Sequence, residues 1–177
     1  PDQTRNLREN IKDILVASGM QEIVSYPLTD LASLEAVEAE RSNTPPIKIA
    51  NPMSSEKQYM RTSLRASVLE VLSANRRASQ GADLRLFEIG RVFLSKDQSD
   101  EMDLPNEKEM LVGVLSGPRS PLSWVKVPDQ GDMDFFDAKG VLESIFSQID
   151  ISVDFQPSKD LALHPGKTAS LVCEDTK

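Results

Sequence analysis

Reactive side chains are scarce in this sequence. The single histidine, His164, stands in the string His164-Pro165-Gly166, and a Ser-His-Asp triad would have to use it without a nucleophile elbow anywhere in the chain. A general-base histidine needs a paired nucleophile, so His164 reads as a turn residue. The lone Cys173 cannot form an internal disulfide, and with one histidine it cannot complete a zinc site. Gly166-Lys167-Thr168 matches the end of a phosphate-binding loop, but Leu161 occupies the position of the required earlier glycine, so the amide nest that cradles phosphate is not expected. Asp97, Asp100, Glu101 and Asp103 lack the glycine and terminal glutamate of a calcium loop and read as a solvated acidic stretch. Trp124 and the pair Phe135-Phe136 could wall a ligand, but beside loops and at helical spacing they are expected in the core. No catalytic residue and no metal-ligand set is therefore expected.

Composition makes a globular, soluble chain the default class. At 177 residues and 39% hydrophobic content the chain is one domain's worth and has material for a sizeable core. A formal charge of -8 opposes wrapping by nucleic acid, although Arg76, Arg77, Arg85 and Lys126 offer local positive charge. The longest apolar runs, such as Met110 to Leu115, are far below the roughly 20 residues of a membrane span, and no basic-then-apolar start suggests a signal peptide. The cytoplasm is the expected compartment. The start at Pro1 and the end at Lys177, in a strand-like stretch, read as a piece of a longer chain.

The elements that must position these residues follow from periodicity. Leu7, Ile11, Ile14 and Leu15 lie on one face of a helix from Thr4 to Ser18, stopped by Gly19. A strand over Glu22 to Leu28 is followed by a short helix, Asp30 to Glu40, with Leu31, Leu34 and Val37 inward. Ile47 to Ala50 reads as a short strand ended by Asn51-Pro52. Ser63 suits the N-cap of a helix from Leu64 to about Gln80, with Arg76 and Arg77 favouring its C-terminal dipole. Strands are expected at Arg85 to Leu94 and, buried, at Met110 to Gly117. Loops are expected over 95–108 and 118–133, the second lying over the sheet. A third long helix, Asp134 to Gln148, precedes strands at Val153 to Phe155 and Lys167 to Cys173. That order gives one α+β domain over 1–177, with a mainly antiparallel sheet flanked by helices. Glu88 and Arg91, three apart in a strand, point to opposite faces and should not pair directly.

Several strings together resemble a known family: EIVSYPLTD at Glu22, NPMSSE at Asn51, MRTSLRASVLEVLSANRR at Met60, LFEIGRVF at Leu86, FFDAKGVLESIF at Phe135 and LHPGKTA at Leu163. They occur in the order found in the class II synthetase-like core region of bacterial phenylalanyl-tRNA synthetase β subunits, and the resemblance runs from about Leu7 to Leu171. It implies a degenerate class II fold that docks on a catalytic α subunit in an (αβ)2 enzyme charging tRNA(Phe) with phenylalanine and ATP. The helix carrying Leu7, Ile11, Ile14 and Leu15, with the strand after it, resembles motif 1, the pairing element; those four residues are the expected subunit interface.

The same resemblance implies that the chain is inactive alone. Catalytic class II domains place an arginine after the aromatic residue of the first motif 2 strand, to hold the ATP α-phosphate. The strand here resembles Gly90-Arg91-Val92-Phe93, with Leu94 at the arginine position and Lys96 where an acidic residue is expected. A leucine offers no donor. ATP and Mg2+ are expected only in the partner's active site, no cofactor is expected here, and a motif 3 arginine would lie beyond Lys177. Arg61, Thr62 and Ser63 are expected at a strand-to-helix junction where the hydroxyls cap the helix, and Asp137 and Lys139 are expected to orient the third helix or meet the partner. Arg76 and Arg77 are the candidates for tRNA contact, the rival reading, and a pocket of its own for ATP or amino acid ranks last. Stripped of its partner, the motif 1-like helix could pair with itself in a non-native homodimer.

Overall fold

The computed structural model describes residues 3–37, 45–78, 82–95, 104–120, 124 and 131–173. Chain order gives α1 (Gln3–Ala17), β1 (Gln21–Glu22), β2 (Leu28–Thr29), α2 (Leu31–Val37), β3 (Tyr59–Met60), α3 (Arg65–Ala78), β4 (Leu84–Leu94), β5 (Asn106–Ser116), α4 (Phe135–Gln148), β6 (Val153–Pro157) and β7 (Ala169–Cys173). The long helices lie where the 3.6-residue apolar period puts them. Gly19 ends α1 with a left-handed φ of +79°, which lets the amides of Gly19 and Met20 close on the carbonyls of Val16 and Leu15 and turns Met20 back into the core.

The main sheet has the order β1-β4-β5. β1 runs parallel to β4, with Gln21 opposite Leu86, while β4 and β5 form an eleven-residue antiparallel ladder from Leu84↔Ser116 to Leu94↔Asn106. Two antiparallel pairs, β2 with β3 and β6 with β7, complete an α+β architecture that is mainly antiparallel, as expected. Phe87, fully buried, meets Ile14, Leu15 and Met20 of the α1 region and Ile145 of α4, so this core is a sandwich of sheet and two helices. By strand alternation the other face of β4 carries Leu86, Glu88, Gly90 and Val92, and α3 packs on this strand. The β6-β7 hairpin is tied back by Lys139, whose ammonium sits 4.8 Å from the centre of the Phe155 ring, and by Arg65, which meets Asp160 at 2.6 Å.

Three expectations are corrected. The strand expected over Glu22 to Leu28 is broken into β1 and β2, because the chain leaves β4 after Ile23. Ile47 to Ala50 is no strand; it contributes a single bridge, Lys48↔Tyr59. β5 begins at Asn106, before Met110, and is not buried. Met110 and Leu111 are exposed, since α4 reaches β5 only over a short stretch and leaves the rest of its apolar surface open.

Candidate functional site

The concentration of buried polarity lies where β1 and β3 part company beside β4. Ile23 still bonds to the β4 backbone, its N–H donating to the Phe87 carbonyl at 2.8 Å. Further along, Arg61 takes that place: its carbonyl accepts from Phe93 N–H at 2.9 Å, and its own N–H donates to the Pro27 carbonyl at 3.0 Å. Residues 23–27 therefore cross from a position beside β4 to one strand further out, and the fork leaves a gap at Ser25.

Three side chains fill that gap. Arg61, 5% exposed, donates from Nη1 to Glu88 Oε1 at 2.8 Å and to Ser25 Oγ at 2.9 Å, and from Nε to the Arg91 carbonyl at 2.8 Å. Glu88, 2% exposed, accepts the Ser25 hydroxyl on Oε2 at 2.6 Å and the Ser25 amide on Oε1 at 3.3 Å. A buried carboxylate and guanidinium are tolerable only when paired and hydrogen-bonded, and both conditions are met. Gly90 makes room for them: a Cβ there would collide with Arg61 Nη2 and lie 3.1 Å from Glu88 Oε1. Outside the fork, Val24 and Tyr26 point the other way and are 90% and 78% exposed. Polar groups thus bond one another on one side of the segment, and bare apolar side chains stand on the other.

The residues expected at the interface divide. Leu7 is exposed and Ile11 half-buried, but Ile14 and Leu15 belong to the chain's own core, so they cannot serve a partner without opening it. Val16, Val24 and Tyr26 supply exposed apolar surface that the helical period did not single out. Leu94 ends β4, half-buried and opposite Asn106; Lys96 lies outside the described residues, as do Lys126 and the acidic stretch 96–103. The junction residues act differently from expectation. Ser63 Oγ accepts Arg65 N–H only at 3.4 Å, a weak cap, and Thr62 is half-buried, while Arg61 belongs to the fork. Arg76 and Arg77 lie exposed in the last turn of α3, whereas Arg85 is engaged by the Arg119 carbonyl at 3.0 Å. Arg91 pairs with Glu107 at 2.8 Å and not with Glu88.

At the start of α4, Asp134 caps the helix by accepting Phe136 N–H at 2.8 Å, and Asp137 returns the bond by accepting Asp134 N–H at 2.7 Å. Arg119 grips both Asp137 oxygens. Its guanidinium, helped by the Asp134 amide, holds the Asp137 carboxyl down at about 2. The aromatic residues depart from the expected core: Trp124 and Phe136 are exposed, and only Phe135 is half-buried, edge-on to Phe136. His164 holds a turn, its Nδ1 accepting Gly166 N–H at 3.1 Å. Among the described residues no cluster of histidine, cysteine and carboxylate could hold a metal, and no helix is long and apolar enough to cross a membrane. An apolar hollow of about 290 Å³ beneath α4, lined by Met20, Leu111, Leu115, Val141 and Leu142 among others, contains no polar side chain and offers packing without chemistry.

A sequence-family comparison matches residues 1–177 to the phenylalanyl tRNA synthetase beta chain CLM domain. This chain belongs to that family. Phenylalanine--tRNA ligase beta subunits from Dehalococcoides mccartyi strain 195 and Halalkalibacterium halodurans are 37% and 36% identical to it, over 96% and 93% of the chain. The chain spans 20% of the length of each of these relatives. A solved pyrrolysyl tRNA synthetase, PylSc of Desulfitobacterium hafniense, superposes with a TM-score of 0.62 over 97% of this chain and 54% of that one; at 14% identity the likeness is of fold, and the fold of this CLM domain is class II synthetase-like. The strings that carry Ser25, Arg61 and Glu88 are visible in sequence, Ser25 and Glu88 each between apolar neighbours; what sequence does not supply is that the three meet.

Proposed function

We propose that this CLM domain is a non-catalytic docking module, which binds the catalytic α subunit in an (αβ)2 enzyme charging tRNA(Phe) with phenylalanine and ATP. The observation that carries the reading is the exposed pair Val24 and Tyr26 in the segment that crosses beside β4, with Val16 and Leu7 of α1 exposed as well. Exposed large apolar side chains in neighbouring elements favour a partner surface over solvent. The absence of a donor at Leu94, which ends β4 as a leucine, supports leaving ATP and Mg2+ to the partner's site. Cytoplasmic placement goes with this reading. The exposed Arg76 and Arg77 favour a second one, contact with tRNA on the assembled enzyme, which steep salt dependence of tRNA binding would support.

Light scattering after size-exclusion chromatography, on this chain alone and mixed with the cognate α subunit, tests docking. The mixed complex should form at micromolar concentration and be lost on Val24→Asp or Tyr26→Asp, because each places a charge in a desolvated contact. A complex untouched by both substitutions refutes the assigned edge. A doubled mass for the chain alone, abolished by the same substitutions, is the expected mark of the non-native homodimer.

A further inference from the structure

We infer that Ser25, Arg61 and Glu88 are positioning residues for the docking edge: together they replace the missing ladder hydrogen bonds of residues 23–27 and fix Val24 and Tyr26 in the outward orientation a partner meets. The inference rests on the docking reading above. Among the described residues, the next backbone–backbone bond of this segment after that of Ile23 N–H to Phe87 is the one accepted by the Pro27 carbonyl. Between them the segment is held from inside, by the Ser25 amide and hydroxyl on Glu88 and by Arg61 Nη1 on the same hydroxyl. Ser25 Oγ thus donates to the carboxylate and accepts from the guanidinium, a role that needs both lone pair and proton and that alanine cannot fill.

The geometry explains why the cluster is charged. A fork between strands leaves backbone groups without strand partners, and a buried backbone carbonyl or amide left unpaired is costly. Arg61 reaches the Arg91 carbonyl with Nε and the Ser25 hydroxyl with Nη1, a span its planar fork of donors covers and a lysine point charge would not. Glu88 then balances the guanidinium and turns its second oxygen to Ser25. Alternation puts the Ser25 side chain on one face and those of Val24 and Tyr26 on the other, so fixing the first fixes the other two.

The experiment reads edge order and partner affinity separately. NMR order parameters of the Val24 and Tyr26 amides in the 177-residue chain should be near the rigid value of about 0.85 in the wild type and drop below about 0.6 in Ser25→Ala, with the β4-β5 ladder amides unchanged. Ser25→Thr, which keeps the hydroxyl, should restore them, and Glu88→Gln, which keeps the volume and removes the charge, should fall between. Affinity for the α subunit should weaken about tenfold or more in Ser25→Ala, which loses the hydroxyl's bonds to both Glu88 and Arg61, and recover in Ser25→Thr. Unchanged order parameters in both Ser25→Ala and Glu88→Gln overturn the inference. A loosened edge with unaltered affinity overturns it too, provided Val24→Asp abolishes binding. Binding that survives Val24→Asp and Tyr26→Asp instead overturns the docking reading, and the order parameters, measured without partner, tell that failure apart.

Discussion

Replacing Gly90 by alanine should destabilise this domain, against the ordinary expectation for a strand. Glycine inside a regular element costs about 0.5–1 kcal/mol relative to alanine through backbone entropy, so the substitution should help if space allowed. Space does not allow it: the new Cβ would collide with Arg61 Nη2 and press on Arg61 Cζ at 3.4 Å and Glu88 Oε1 at 3.1 Å. The guanidinium is the far end of a flexible side chain, yet it is pinned by bonds of 2.8, 2.8 and 2.9 Å to the Arg91 carbonyl, Glu88 and Ser25. Retreat by on the order of an ångström breaks one or two of them, at about 1.5–3 kcal/mol each. After the backbone gain, the net loss is about 0.5–2.5 kcal/mol if one bond breaks and about 2–5.5 kcal/mol if two do, which for a domain of this size lowers the thermal midpoint by roughly 2–4 °C per kcal/mol. Urea unfolding followed by circular dichroism should show the midpoint fall with an unchanged slope. In an Arg61→Leu, Glu88→Leu background, where both charges leave together, the cost should vanish or change sign. A Gly90→Ala protein as stable as the wild type would refute the reasoning, because it would mean that the guanidinium is not held where the fork requires it.

Two further outcomes follow from local structure. Asp137 keeps its carboxylate ionised because Arg119 and the Asp134 amide bind it, so its pKa in the folded state, about 2, lies below the ordinary 3.8. Its contribution is therefore complete above pH about 4 and lost as pH falls through 3.8 towards 2. Asp137→Asn should flatten the wild-type loss of stability in that window, measured by urea midpoints at pH 5 and pH 3, and added salt should shrink the difference between the proteins. In α2, Leu34 is buried against the body of the domain and Leu31 is exposed, so Leu34→Ala should cost about 2–5 kcal/mol and Leu31→Ala under about 1 kcal/mol by urea unfolding; equal losses would mean that α2 packs on its other face.

What sequence revealed and what it concealed divide along range of interaction. The helices α1, α3 and α4 and the strand β4 stood in the residue pattern because each is set by its own periodicity and stop signals, such as Gly19 after α1. β5 was visible only in its apolar half. The polar residues Asn106 to Glu109 join the strand because β4 offers them a ladder, as Glu109 opposite Arg91 shows, and pairing overrides weak strand propensity. Ile14 and Leu15 share the helical face of Leu7, but periodicity says only that a face is apolar, not whether the chain's own sheet or another chain covers it. Phe136 and Trp124 depart from the expected core for the complementary reason: aromatic character favours burial on average and is silent about a particular site.

The fork supplies a physical reason for these strings to go together. EIVSYPLTD contributes Ser25, MRTS contributes Arg61, and LFEIG contributes Glu88 with the glycine that makes room beside it. Removing any one strands the others: without Glu88 the buried Arg61 loses its counter-charge, and without Arg61 the carboxylate is left with Ser25 alone. Such mutual dependence ties distant sequence segments as firmly as shared catalysis does, because a lone buried charge costs several kcal/mol. The fold accounts for this charged cluster inside a family motif: Ser25, Arg61 and Glu88 bond one another, while the side chains that alternate with Ser25, Val24 and Tyr26, face out.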